Sequence, residues 1–516
     1  MNSLIYENRT FLNLSRIEKD GDYLIFTRKN VSGEKREKLK LKDILKISAN
    51  KKIFSYFLKI DSKDGKSLDF GGLDEKGVEE LKSSLGSLVE IHSASMAATI
   101  SLEEARKGAA KILENLTEDF DGRSIISYLI TQAVQLQSSD IHITPRKEYA
   151  FIQYRLDGLL QEVCPINTEI FERVLATLKN RSKLPSYKKS VPQDGSFHFQ
   201  EGNLNLDIRC ATIPTLFGEK VVMRILNSNK TPLMLEELGF STEIMDSYRK
   251  LIKSPQGCIV LTGPAGSGKT TTIFASLINI YKSCEGKVNI ATLEDPAEYI
   301  IEEFQQTQIN PVTGLTFETG LKSLLRLDPD IIMVGEIRDP ETAHMAMRTA
   351  LTGHLIFTTL HSRNSIGVFP RLIELEIKPA MASSALTAVL YQRLIRKLCP
   401  HCKIKVDSNK NLEREMKFRE INCSDFYTSK GCSYCSNTRY SGRTGIFELL
   451  LVDERIREMI IKGSTCEEIY KYCKNRGMKF LWENALEKVA LGITDFSEIT
   501  RVCPGMLPGK GSEKDE

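Results

Sequence analysis

Eight consecutive residues, Gly263-Pro264-Ala265-Gly266-Ser267-Gly268-Lys269-Thr270, carry the spacing G-x-x-x-x-G-K-[ST]. Glycines at that spacing let the backbone wrap around phosphate oxygens, and successive N–H groups with a helix N-terminus supply fixed positive potential. The flanks fit. The apolar run Cys258-Ile259-Val260-Leu261 reads as a buried strand, and Thr271-Thr272-Ile273-Phe274-Ala275-Ser276-Leu277 reads as the start of a helix. In that setting the motif is a P-loop. Residues 263–270 with Thr271 are then expected to bind nucleotide, Lys269 reaching the β- and γ-phosphates and Thr270 completing a magnesium shell.

Carboxylates follow at strand ends. Asn289-Ile290-Ala291-Thr292-Leu293 runs into Glu294-Asp295-Pro296-Ala297-Glu298, three carboxylates just past a strand tip. Such a loop is either solvated or, beside a P-loop, turned toward magnesium. The buried-type run Ile331-Ile332-Met333-Val334 ends at Gly335-Glu336, where a carboxylate can hold the hydration shell of the ion or polarise an attacking water. His354 and His361 bracket the next run, Leu355–Leu360, as polar strand ends or as a γ-phosphate sensor.

Twelve cysteines are present, eight of them scattered singly. The other four form two C-x-x-C pairs, Cys399/Cys402 and Cys432/Cys435, with 29 residues between them. That spacing predicts a tetrahedral four-cysteine zinc site holding together a small insertion, with His401 outside the ligand set. A redox motif needs only one pair. Scattered single thiols fit a reducing, cytoplasmic setting.

At 516 residues the chain exceeds one core, and three or four domains are expected. Net charge is only +4, which gives no argument for nucleic acid. No apolar run reaches about 18 residues, so no membrane span is expected, and the N-terminus has no secretory pattern. Residues 1–90 read as a small β-plus-helix docking module. Its strand Phe54–Ile60, a turn at Asp64-Gly65 and a helix through Val78, Leu81, Leu85 and Leu88 suggest a pleckstrin-homology-like shape. The stretch Arg28–Lys42 holds seven Lys or Arg against two Glu. It reads as a solvated strand face, or as a surface for an acidic partner or anionic membrane. Residues 91–120 read as a linker, 121–235 as a mixed α/β lobe, 236–398 as the nucleotide core, 399–440 as the zinc element, 441–503 as the C-terminal helical part of the nucleotide-binding domain, and 504–516 as a disordered tail. Within the lobe, His142 alternates with Ile141 and Ile143 and reads as structural.

Taken together, Gly263–Thr270, Leu293-Glu294-Asp295-Pro296, Val334-Gly335-Glu336-Ile337-Arg338-Asp339 and Leu351-Thr352-Gly353-His354 through Thr359-Leu360-His361 resemble the secretion ATPases. The resemblance is narrowest to the type II secretion ATPase and the type IV pilus assembly ATPase. It extends over Ser139-Asp140-Ile141-His142, Tyr154–Gly158, Gln193-Asp194-Gly195 and Gln392-Arg393-Leu394, roughly residues 120–505. It implies an α/β fold, with a PAS-like lobe followed by a RecA-like P-loop core, working as a homo-hexamer. ATP, Mg2+ and Zn2+ are the implied cofactors. The implied partners are an inner-membrane platform protein and an adaptor, with the ring cytoplasmic and peripherally recruited to the inner membrane. It makes Glu336 the catalytic glutamate, places Glu294, Glu298 and His361 at the reacting phosphate, and matches Arg209 and Arg224 to arginines that close onto nucleotide. The zinc element favours extrusion over retraction.

The chain departs from the family pattern at Ser196, Thr319 and Lys322, where arginines are usual, while Arg326 is retained; after His361 it has Ser362-Arg363-Asn364. This thins the charge-stabilising set, since lysine lacks the bidentate fork of arginine. Two other readings stand beside the motor: a regulatory or scaffolding ring with weak hydrolysis, and a RecA-like nucleic-acid motor. The near-neutral charge and the lack of a basic-aromatic groove oppose the second.

Overall fold

Short alternating runs dominate the first 92 residues, and they become strands in the computed structural model. The structure describes residues 3–503 except 11–12, 21, 31–32, 53–54, 63–66, 74–80, 82–84, 86–88, 93–99, 115–120, 202–203, 227–231, 408–411, 414–415, 418, 420, 422 and 424. The expected tail, 504–516, lies outside the described residues. The chain divides into two units, residues 1–226 and 227–516.

In the first unit, β1 (Ser3–Thr10), β2 (Asn13–Asp20), β3 (Tyr23–Asn30) and β4 (Gly33–Lys40) form an antiparallel meander. A second sheet contains β5 (Ile44–Lys52), β6 (Ser55–Ser62), β7 (Ser67–Leu73) and β8 (Val89–His92), in the order β7-β6-β5-β8. Ile17, Leu24, Phe26 and Ile60 are buried. The β6–β7 hairpin matches expectation, its turn at Asp64-Gly65 and the preceding Phe54 lying outside the described residues. Of the expected helix, Leu81 and Leu85 are described and helical; Val78 and Leu88 are not described. A further strand, β8, follows that stretch and pairs parallel to β5, which the sequence reading did not include.

The stretch expected as a linker holds a helix, Leu102–Glu114. Leu102, Ala105 and Ala109 are buried along one side, Gly108, Ala110, Ile112 and Leu113 are half-buried, and the exposed positions are charged. A stripe of mostly alanine carries too little hydrophobicity to stand out in sequence, yet it lets the helix approach closely; Gln132 Nε2 donates to the Ala105 carbonyl at 3.0 Å. Next come the helices Gly122–Gln135 and Thr168–Arg181. They accompany β9 (Asp140–Pro145), β10 (Tyr149–Leu156), β11 (Leu159–Asn167), β12 (Gln193–Glu201), β13 (Leu204–Thr215) and β14 (Gly218–Leu226). The sheet is antiparallel, in the order β11-β10-β9-β14-β13-β12. Ile125, Leu129, Ile141, Ile152, Val174 and Ile208 meet in its core. A buried ion pair, Lys179 Nζ to Glu219 Oε1 at 2.6 Å, ties the helix Thr168–Arg181 to β14.

The second unit is built on β15 (Gly257–Thr262), β16 (Ile290–Glu294), β17 (Gln305–Gln308), β18 (Ile331–Val334), β19 (Leu355–Leu360) and β20 (Leu386–Leu398). β15, β16, β18 and β19 are buried at every residue, as strands covered on both faces must be. A two-stranded ribbon, β21 (Lys403–Val406) with β22 (Phe426–Ser429), lies between β20 and β23 (Tyr440–Leu451). β23 pairs antiparallel with β20 and completes the order β17-β16-β18-β19-β15-β20-β23. The sheet of the nucleotide core therefore continues beyond residue 398: the cysteine element interrupts it, Tyr440–Leu451 returns as a strand at the start of the part expected to be helical, and the helices that follow begin at Glu454. Because β15, β16, β18 and β19 are parallel, the loops that follow them emerge along one edge, where open parallel sheets bind ligands.

Candidate nucleotide site and cysteine cluster

The expected P-loop connects β15 to the helix Lys269–Ser283. Its backbone has φ of +146° at Gly263, +72° at Gly266 and +85° at Gly268, values that favour glycine. Gly263 is also confined by packing: a Cβ there would stand 2.4 Å from the Gln392 carbonyl oxygen. The side chain of that same glutamine grips the loop from below, Gln392 Nε2 donating to the Ser267 carbonyl at 2.7 Å. Lys269 Nζ folds across its own loop, donating to the carbonyls of Gly263 at 3.0 Å and Pro264 at 3.2 Å. Burial lowers the Lys269 pKa, and the charges of Glu336 and Glu298 oppose that shift. Thr271 Oγ1 and Tyr299 Oη are 3.0 Å apart, anchoring the first turn of the helix.

Glu294 ends β16 and is buried. Its Oε1 accepts from Thr292 Oγ1 at 2.7 Å and Gln306 Nε2 at 2.9 Å, while the buried Oε2 makes no hydrogen bond of good geometry. Burial raises its pKa, against the hydrogen bonds from Thr292 and Gln306 and from the Glu298 backbone. An acceptor left open on a buried carboxylate suits a cation-binding position. Glu298 itself is exposed in the following loop. On the neighbouring strand, Gly335 N–H donates to the Leu293 carbonyl at 2.8 Å, and the Gly335 carbonyl accepts from Thr359 Oγ1 at 2.8 Å. These bonds set the backbone from which Glu336 projects, its carboxylate paired with Arg338. His361 is exposed just beyond β19. The next residue binds back to the P-loop strand, Ser362 N–H donating to Thr262 Oγ1 at 3.0 Å. His354 is at the other end of β19, where its carbonyl accepts from Gly257 N–H at 3.0 Å. A parallel strand presents only its carboxyl end to the site edge, so of the two bracketing histidines only His361 lies there.

Arg209 and Arg224 belong to the first unit, where they are cross-strand partners on β13 and β14. Arg224 Nε is 3.0 Å from Asp140 Oδ1, and Arg155 Nε is 3.5 Å from Asp140 Oδ2. His142 is buried, and its Nε2 is 3.4 Å from an Arg155 nitrogen. Burial, then Arg155 and Lys220, lowers its pKa to about 4, which keeps it neutral. Ser196 faces Arg209 across β12 and β13. Thr319 shares a reciprocal cap with Thr316 at the start of the helix Phe317–Leu324, and Lys322 pairs with Glu318 at 2.5 Å.

The four paired cysteines come together, with all four Sγ atoms within 4.8 Å of one another. Cys399–Cys432, Cys402–Cys435 and Cys432–Cys435 are each 3.8 Å apart in Sγ. Tetrahedral zinc with bonds of about 2.3 Å requires sulfur–sulfur edges of about 3.8 Å, so the donor set fits. The Cys435 backbone N–H lowers the Cys432 thiol to about 7, readying it to lose its proton to a metal. The His401 ring lies against Tyr434, centroids 4.0 Å apart and planes tilted by 41°, and is outside the cluster.

Sequence reasoning assigned no role to Tyr299, Thr292, Gln306, Gln392 or Glu448, although Gln392 lies in a stretch named above. A signal was available. Glu448 is the one polar residue of 446–451, Gln392 directly follows the apolar run 388–391, and both are buried.

Residues 118–501 match the family model described as "Type II/IV secretion system protein". The type II secretion system ATPase E of Vibrio cholerae is 40% identical over 392 residues, covering 75% of this chain and 77% of that protein. The type IV pilus assembly ATPase PilB of Thermus thermophilus is 39% identical over 404 residues, covering 78% of this chain but only 45% of that protein. Among solved structures, the ATPase DotB of Legionella pneumophila aligns with a TM-score of 0.56 at 19% identity, over 75% of this chain and 97% of that one. The pilus retraction motor PilT with bound ADP aligns with a TM-score of 0.50 at 22% identity, over 73% and 97%. These last two show the fold.

Gly263→Ala forces a side chain into the Gln392 carbonyl at a strained φ. It is expected to weaken binding of a fluorescent ADP analogue by at least about tenfold, and unchanged affinity contradicts the packing described.

Proposed function

The chain belongs to the type II/IV secretion system protein family, and we propose that it is the ATP-hydrolysing motor of a type II secretion or type IV pilus assembly system. In this reading a homo-hexamer uses ATP to move an inner-membrane platform protein, which adds pilin or pseudopilin subunits. An adaptor recruits the ring to the membrane's cytoplasmic face, and residues 1–90 dock it. Among the described residues no helix is long and apolar enough to cross a membrane.

One observation carries the reading: a P-loop lysine and the carboxylates of neighbouring strand ends share one edge of a parallel sheet. The phosphates of ATP rest on the N–H groups of residues 263–270, and Lys269 exchanges the Gly263 and Pro264 carbonyls for phosphate oxygens. Thr270, with Glu294 and Glu298 directly or through water, holds a magnesium ion, which when bound neutralises phosphate charge. Glu336 polarises the attacking water, for which it must leave Arg338. His361, Arg209 and Arg224 sense or neutralise the γ-phosphate. Cys399, Cys402, Cys432 and Cys435 hold a structural zinc ion that stabilises an insertion too small for its own core.

A weakly hydrolysing ring is the second reading, favoured by Thr319 and Lys322 being engaged within their own helix. ATP turnover measured as a function of assembly separates the two. For a motor, turnover per chain is expected to rise at least about tenfold when the hexamer forms, as remote arginines complete the site; a rate indifferent to assembly supports the weak ring. Metal analysis of the purified chain is expected to give one zinc per chain, lost in Cys432→Ser. Wild-type protein devoid of metal contradicts the zinc assignment.

A further inference from the structure

Glu448 is fully buried in β23, opposite Tyr391 of β20 and one position from the Gln392–Phe447 pair. A carboxylate there must be satisfied by hydrogen bonds, because an ionised group away from water is costly without them. Three donors converge on it. Oε1 accepts from the Ser365 backbone N–H at 3.0 Å and from Ser365 Oγ at 2.5 Å; Oε2 accepts from the Leu481 backbone N–H at 3.1 Å.

Both sources of these donors matter. Ser365 closes the short loop that begins at His361, and the other end of that loop is fixed by Ser362 N–H on Thr262 Oγ1, one residue before the P-loop. Leu481 opens the helix Leu481–Ala490, which has a second hold on the same strand through Phe447 N–H donating to Asn484 Oδ1 at 2.9 Å. One side chain thus fastens the His361 loop to the sheet and, through its other oxygen, to a C-terminal helix. The adjacent strand fastens the P-loop through Gln392.

We propose that Glu448 is a positioning residue for ATP hydrolysis, holding the His361 loop in register with the P-loop and coupling it to the helix Leu481–Ala490. The inference rests on the proposed role of His361 at the γ-phosphate. Glutamine at 448 keeps the shape and one acceptor but turns an N–H donor toward either Ser365 or Leu481, so one of the two backbone N–H groups loses its acceptor.

The test uses the full chain and measures steady-state ATP turnover, affinity for a fluorescent ADP analogue, and melting temperature. Glu448→Gln is expected to lower kcat about tenfold with ADP affinity within twofold, and Ser365→Ala to act in the same direction but less, since the backbone bond remains. The deciding measurement is the double-mutant cycle with His361→Ala. If Glu448 acts through the loop, the double variant is no slower than His361→Ala alone. Losses that multiply overturn the proposal while leaving the role of His361 intact. A His361→Ala single variant with wild-type kcat overturns both. If Glu448→Gln does not fold, the cycle of Ser365→Ala with His361→Ala decides by the same criterion.

Discussion

A single loop conformation constrains the rest of the second unit. Between Thr262 and Lys269 the chain must turn from a buried strand into a helix with its N–H groups facing outward, and it does so at positive φ on Gly263, Gly266 and Gly268. Such a loop has little hydrophobic content of its own to hold it. Its shape depends on what lies beneath, namely Gln392 on β20, whose side-chain nitrogen binds the Ser267 carbonyl and whose own carbonyl leaves no room for a Cβ at Gly263. The buried strands on either side fix where Gln392 lies, so sheet packing sets the loop geometry.

The same design recurs along the edge. Polar side chains rooted in apolar strands hold this edge in place: Thr359 on Gly335, Thr292 with Gln306 on Glu294, and both Thr262 and Glu448 on the loop that follows His361. Hydrogen bonds of this kind add modestly to stability, but the cost of leaving one unmade in the interior selects a single geometry. The side chains proposed to meet substrate are partly exposed and held in contacts they would have to exchange, Lys269 on its own loop carbonyls and Glu336 on Arg338. Rigidity thus sits under the site and freedom at its surface.

Much of this was legible in the sequence, for identifiable reasons. The P-loop and the two C-x-x-C pairs declare themselves because their chemistry demands fixed local spacing. The fully apolar runs before residues 263, 294 and 335 mark covered parallel strands. What escaped depends on contacts across the fold. Gln392 meets Ser267 from 125 residues away, and β23 rejoins the core only after the cysteine insertion. The helix Leu102–Glu114 reads as linker in sequence because two of its three buried positions are alanines. His354 was paired with His361 by proximity to one strand, whereas strand direction separates them. In the N-terminal module the return of β8 beside β5 is a long-range pairing with no local signature.

The central claim is that the carboxylate following β18 activates water at a phosphate held by the P-loop. Pre-steady-state and steady-state hydrolysis of ATP by Glu336→Gln tests it most directly, because glutamine retains size and polarity while losing the base. The account expects kcat to fall by at least about a hundredfold with ATP binding preserved. Hydrolysis near the wild-type rate by a variant that binds ATP normally would contradict it.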